Sequence, residues 1–155
     1  MLGRYIVVAV IRDGDRFILG KKAKGKPPYP NVWHTPGGGV DGFVKAKGLF
    51  EAGDFDNPFF HEELRREMRE ELGIEIKNIV CIVPQFRSAP REAVTENKHG
   101  ELTHYYFLEY LCEYATGEMR PDDDLVEAKW VTKEDLKDIS LTPPSQEMYR
   151  ELGWL

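Results

Sequence analysis

Two stretches, PGGGV at Pro36–Val40 and RREMREELGI at Arg65–Ile74, decide how this chain is read. Side chains at i, i+3 and i+4 share a helix face. In a helix Glu67, Glu70 and Glu71 therefore project together, with Glu63 one turn earlier on the same side. Like charges at that spacing repel by roughly a few tenths of a kcal/mol per pair. Arg66 can pair with Glu70 at i+4, while Arg65 and Arg69 flank the outer face, so Glu67 and Glu71 face each other without a cation. Mg2+ suits that gap, because it is a hard ion held by one or two carboxylates together with substrate phosphates. A solvated Glu/Arg face is the plain alternative. Gly37, Gly38 and Gly39 allow backbone to come close to a ligand and turn its carbonyl or N–H groups toward it.

The helix is expected to start at Asn57, a good N-cap, with Pro58 at the first position, where its missing N–H is harmless. Gly73 closes it. Phe60, Leu64, Met68 and Leu72 recur every fourth residue and form its buried stripe. Upstream, RYIVVAVIRDGDRFILGKK reads as a hairpin turning at Asp13-Gly14. Lys22–Asn31, with three prolines, reads as loop, and Val32 and Trp33 return to order. The segment 41–56 shows no sustained period and reads as an excursion between the glycine turn and the helix. Downstream, Ile74–Val83 reads as a strand, Phe86–Gly100 as a polar loop and LTHYYFLEYLCEY as a long strand ending at a Thr116-Gly117 turn. EAKWV reads as a short strand, Lys133–Asp138 as a short helix, and the residues after Pro143-Pro144 as a last helix up to Leu152. Strands on both sides of one strong helix predict a single α/β (α+β) domain over residues 1–155, an α/β/α sandwich with a mixed sheet.

Bulk properties narrow the function. At 155 residues, 41% hydrophobic and 31% charged, the chain reads as one globular domain. A net charge of −6 offers no basic stripe for nucleic acid. The apolar run Tyr5–Ile11 is too short to span a bilayer and lacks the pattern of a secretory signal. No membrane partner is expected, and the cytoplasm is the expected location. Cys81 and Cys112 lie apart in apolar runs, as buried reduced thiols would.

Together the glycine turn and the helix resemble the signature of the Nudix hydrolases. The helical half of that signature is R-E-apolar-x-E-E-x-G-apolar, and Arg66, Glu67, Met68, Glu70, Glu71, Gly73 and Ile74 match every fixed position. Trp33 before the glycines, and EAKWV followed by TKEDL, are similar to family members too. The resemblance implies hydrolysis of a nucleoside diphosphate linked to another group, with Mg2+ (or Mn2+) as cofactor and a nucleotide as small-molecule substrate. It implies Glu70 and Glu71 as metal ligands, Glu67 as ligand or water-orienting base, Arg66 as the group orienting a carboxylate, and the Gly37 carbonyl as an extra ligand. Two departures stand out. Residues 41–56 contain an insertion, expected to touch substrate or the partner subunit of a homodimer. The family's early Glu would fall on Pro58, and Glu51 or Asp56 are the candidates to replace it.

Other residues carry weaker signals. Lys21 and Lys22 end the second strand, where relatives carry a cation toward phosphate. Arg87 and Arg91 can clamp a phosphate bidentately, although loop arginines are usually just exposed. One of Asp122, Asp123, Asp124 and Glu127 is expected to supply a further acid. Trp33 is assigned to the core, and the four histidines are assigned nothing. Pro90, sixteen residues past Ile74, is similar to a mark of the ADP-ribose hydrolases in the family. ADP-ribose and nucleotide sugars therefore rank above oxidised nucleoside triphosphates, the alternative of a housecleaning enzyme. A catalytically silent binding domain is disfavoured because every box glutamate is kept.

Overall fold

The computed structural model describes residues 1–22, 32–122 and 125–155. The proline-rich loop, apart from Lys22, and Asp123 and Asp124 lie outside the described residues. In chain order the strands are β1 (Leu2–Asp13), β2 (Arg16–Lys22), β3 (Trp33–His34) and β4 (Gly37–Gly39). Helices α1 (Phe43–Glu51) and α2 (Pro58–Leu72) follow. Then come β5 (Glu75–Cys81), β6 (Arg91–Glu96), β7 (Leu102–Thr116), β8 (Leu125–Thr132), a 3-10 helix at Lys133–Asp138 and α3 (Pro143–Glu151).

Among the described residues eight strands form one mixed sheet, with a central order β3-β2-β1-β7-β5. Its spine is the parallel pair β1 and β7, in register from Leu2 opposite Thr103 to Arg12 opposite Glu113. The first hairpin turns at Gly14-Asp15, one residue later than the composition suggested, because Asp13 pairs with Arg16 and Gly14 takes the positive φ of 65°. Beyond that hairpin β2 leaves β1. The glycine strand β4 takes its place, with Gly39, Gly38 and Gly37 opposite Ile6, Val7 and Val8. This split in the sheet positions the site.

Alternation sends the two faces of the spine to two cores. Val7, Ala9, Ile11, Leu108, Tyr110 and Cys112 face α2, whose Phe60, Leu64, Met68 and Leu72 are fully buried. Val10 and Leu111 face the other way, toward Met148 and Tyr149 of α3. α2 is capped as its sequence demands. The Phe59 N–H donates to the Asn57 side chain at 2.9 Å, Pro58 occupies the first turn, and Gly73 ends the helix at φ 69°. Cys81 and Cys112 are buried free thiols, and burial pushes both pKa values up to about 12.

Two segments differ from the sequence reading. The excursion after the glycines contains α1, which buries Ala46 and packs Leu49 and Phe50 on the α2 core. Its helical spacing, Phe43, Ala46 and Phe50, is diluted by Lys45, Lys47 and Gly48, and no polar N-cap announces it. The polar loop at Phe86–Gly100 contains strand β6, which pairs antiparallel with β7 from Arg91 opposite Phe107 to Glu96 opposite Leu102. Six residues of which only Ala93 and Val94 are apolar become a strand because β7 offers a free edge there, a tertiary effect that overrides local propensity.

The α2 stripe is the main tie between helix and sheet. Leu64→Ala should lower unfolding free energy by about 2–5 kcal/mol, measured by urea denaturation.

Candidate active site

A cavity of about 370 Å³ opens where β4 replaces β2 beside β1. One wall is the bare backbone of Gly37, Gly38 and Gly39, and behind it stands the inner face of α2 with Glu67 and Glu71. These two carboxylates are 7% and 5% exposed, although they belong to a residue type that is seldom buried. A Cβ at Gly38 would lie 2.1 Å from Glu67 Oε2, so that carboxylate reaches the strand only because the side chain there is missing. At Gly37 a Cβ would lie 2.3 Å from the Val7 carbonyl oxygen. The glycines therefore let helix, strand and cavity meet at one place.

The turn before β4 is secured from both ends. The Ala9 N–H donates to the Pro36 carbonyl and the Val40 N–H to that of Tyr5, both at 2.9 Å. The Thr35 N–H donates to Ser145 Oγ at 3.1 Å, and its hydroxyl lies 2.8 Å from the Tyr149 hydroxyl, so α3 anchors the turn. Thr142 caps that helix and lines the cavity with Thr35 and Ser145.

Arg66 organises the carboxylates along the outer edge. Its Nη2 donates to Glu63 Oε2 at 2.6 Å and lies 3.3 Å from Glu67 Oε1 and 3.6 Å from Asp41 Oδ2, while Nη1 donates to Glu70 Oε2 at 3.1 Å. The hydrogen bond to Glu63 holds its pKa above the ordinary arginine value. Arg66 therefore stands against Glu67 while pairing with Glu63 and Glu70. The missing early Glu is not replaced by Glu51 or Asp56. Glu51 pairs with Lys47 on α1, and Asp56 Oδ1 accepts from the Cys81 N–H at 2.8 Å. Glu63 holds Arg66 instead, and its Oε2 also accepts from the Asp41 N–H at 3.4 Å.

The other predicted residues divide. Lys22 and Gly37 line the cavity with Glu67 and Glu71. Glu70 is half exposed and engaged by Arg66. Lys21 turns to the Trp33 ring, 5.6 Å from its centroid, and Trp33 packs against the α3 core. Arg87 and Arg91 do not clamp a phosphate. Arg87 lies 2.8 Å from Glu151, and Arg91 donates to Glu109 at 3.2 and 3.3 Å while Glu147 and Glu151 of α3 close over it. Burial opposes the Arg91 charge, yet Glu109 and Glu151 keep its pKa above the ordinary value. Asp122 is exposed, with its N–H donating to the Glu71 carbonyl at 2.8 Å, and Glu127 is exposed on β8 opposite Lys21.

Sequence reasoning missed the far wall. Arg4, Ile6 and Val8 of β1 stand beside Tyr105, Phe107 and Glu109 of β7 on one face, and Ala93 and Thr95 of β6 extend it. The runs are nearly continuous in apolar residues, so the only local signal was the lone Glu109 within FLEYL, which marks the floor. Burial raises the Glu109 pKa. His34 also lines the cavity. Its Nδ1 lies 2.9 Å from the Thr35 carbonyl and therefore carries the proton, and burial lowers its pKa to about 4. Among the described residues its buried Nε2 has no hydrogen-bond partner.

A sheet split by a glycine strand, with a helix presenting buried carboxylates through the gap, offers a donor set suited to a hard cation and phosphate. A family model described as NUDIX domain matches residues 1–152, and the chain belongs to that family as a Nudix pyrophosphohydrolase. It is similar to the nucleoside triphosphatase NudI of Enterobacter sp. (strain 638), 27% identical over 156 residues covering all of both chains. NudI of Escherichia coli (strain SE11) is likewise 27% identical over 155 residues, again covering both chains entirely. Among solved structures, a MutT NUDIX hydrolase from Burkholderia pseudomallei superposes with TM-score 0.65 at 21% identity, covering 97% of this chain and 98% of that one. The NUDIX domain of Shewanella oneidensis NrtR, complexed with ADP ribose, gives TM-score 0.63 at 12% identity, covering 98% and 86%.

Gly38→Ala should reduce kcat/KM for nucleotide hydrolysis by about tenfold to a hundredfold, since it would displace the Glu67 carboxylate by about 1 Å from its place at the cavity. Gly48→Ala, where a Cβ meets nothing within 4 Å, should leave the rate unchanged and serves as the control.

Proposed function

We propose that the protein hydrolyses nucleoside triphosphates at a phosphoanhydride bond with Mg2+ as its cofactor, Mn2+ substituting. The observation that carries this reading is the buried pair Glu67 and Glu71, brought to the cavity past bare Gly38. Members of this family generally use divalent metal ions. The donor set fits a hard cation: two carboxylates one helical turn apart, with the Gly37 backbone beside them. Among the described residues no three His, Cys, Asp or Glu side chains gather into a complete cage. That suits an ion whose remaining ligands are water and substrate phosphates.

When bound, the ion would neutralise phosphate charge and lower the pKa of a water. The chain's own residues do the rest. Glu71 would hold the ion, and Glu67, beside Arg66, would share it or orient the attacking water. Glu70, bonded to Arg66 at the outer edge, would be a further ligand to the ion. Water adds to one phosphorus, the P–O–P bridge breaks, and each half departs with its phosphate. Lys22 stands at the cavity to meet charge on the leaving half.

The ranking of substrates changes from that drawn on the sequence. Arg87 and Arg91, which favoured a diphosphate sugar, are occupied by α3 and Glu109. Relatives that span the whole chain are named as nucleoside triphosphatases. ADP-ribose therefore ranks second.

A panel of nucleoside triphosphates, ADP-ribose and nucleotide sugars, assayed with Mg2+, tests both parts. The triphosphates should give the highest kcat/KM, and ADP-ribose in first place would reverse the ranking. Glu71→Gln should cost at least about two orders of magnitude in kcat, the scale of losing a main electrostatic stabiliser, with an unchanged thermal melt. Full activity in that variant or in excess EDTA would remove the metal mechanism.

A further inference from the structure

Arg4 occupies an unusual place. It lies on β1 between Tyr105 of β7, its partner in register, and the end of the glycine strand. A Cβ at Gly39 would lie 2.2 Å from Arg4 Nη2 and 2.7 Å from Cζ, so the end of this exposed side chain lies against the bare glycine backbone. Gly39 therefore serves Arg4 as Gly38 serves Glu67. Arg4 lines the cavity, yet among the described residues it makes no hydrogen bond and no ion pair within 4 Å. Asp41, which also lines the cavity, lies 3.6 Å from Arg66 instead. A planar fork of donors has been brought to the ligand space and left open.

The wall around it indicates what it meets. Tyr105 and Phe107 stack at 6.3 Å between centroids, with Ile6 and Ala93 as their apolar flanks, so this side of the cavity suits a flat ring. The carboxylates that would hold phosphate through a cation stand beyond β4, against Gly38. A base lying on Tyr105 and Phe107 extends its edge over β1, where Arg4 stands. We propose that Arg4 is a specificity-determining residue that donates to a carbonyl acceptor of the nucleobase. It would favour guanine, thymine and uracil over adenine, whose amino group offers a donor where a carbonyl is needed. This rests on the nucleotide reading above and goes beyond it by naming the base class.

The experiment compares wild type, Arg4→Met and Arg4→Lys. It measures kcat/KM for dGTP, dTTP and dATP, and metal-free binding of dGMP, dTMP and dAMP by calorimetry. Wild type should prefer the better of dGTP and dTTP over dATP by about tenfold to a hundredfold, the worth of a good bidentate contact. Arg4→Met should bring that ratio close to one by losing the carbonyl substrates while dATP is unchanged. Arg4→Lys should fail to restore it, because a point charge lacks the fork. An equal loss on all three substrates, rescued by Lys, would place Arg4 on the phosphates and overturn the proposal. Unchanged ratios, or wild type preferring dATP, would overturn it as well. If wild type neither hydrolyses nor binds any of these nucleotides, the underlying reading fails with it, and that outcome shows without the variants. A thermal melt of each variant separates loss of selectivity from loss of fold.

Discussion

The close approach of three chain segments at a strand without side chains governs this molecule. Gly37 meets the Val7 carbonyl, Gly38 the Glu67 carboxylate and Gly39 the Arg4 guanidinium, each at a distance where a Cβ would overlap. Burying a carboxylate is costly unless it finds partners, and burying two on adjacent turns adds mutual repulsion. α2 bears that cost because Phe60, Leu64, Met68 and Leu72, beside the carboxylates on its inner side, are fully packed in the core. The apolar stripe and the two carboxylates lie side by side on one rigid element, so stability and chemistry share its inner face.

Charge is apportioned with the same economy. Arg66 is contacted by Glu63, Glu67, Glu70 and Asp41, and its exposure to solvent keeps each pairing weak. The second arginine centre is different in kind. Arg91 and Glu109 are buried together, with two α3 carboxylates completing the shell. Removing one member of such a buried group strands the others. This centre therefore serves architecture, holding α3 to the floor of the cavity, although in the sequence its arginine looked like a ligand clamp.

Much of the fold was legible because its signals are local. The cap at Asn57, Pro58, the fourfold apolar spacing and Gly73 specify α2 almost to the residue, and alternation with β-branched residues marks β1 and β7. The positions of Arg66, Glu67, Glu70 and Glu71 were read from the resemblance to a family motif, and the structure brings Glu67 and Glu71 to the cavity. What escaped depends on contacts between distant segments. β6 exists because β7 has an edge to fill, and α1 because Ala46 and Phe50 find the aromatic surface of Tyr5 and Tyr106. Arg87 and Arg91 were misjudged because their partners, Glu147 and Glu151, lie some sixty residues away. Helix geometry predicts which carboxylates share a face but not which turn inward, so Glu70 and Glu71 separated only in three dimensions.

The anchoring of Thr35 by α3 has a kinetic side. Its contacts with Ser145 and Tyr149 span 110 and 114 residues. Closing loops of that length costs entropy before the contact returns anything. The hairpin and α2 can order from nearby residues, whereas the glycine turn gains its second anchor only when α3 docks. The cavity is therefore among the last features to be completed during folding. By the same logic it is among the first to open when the native state fluctuates, through release of α3 and without loss of the α2 core.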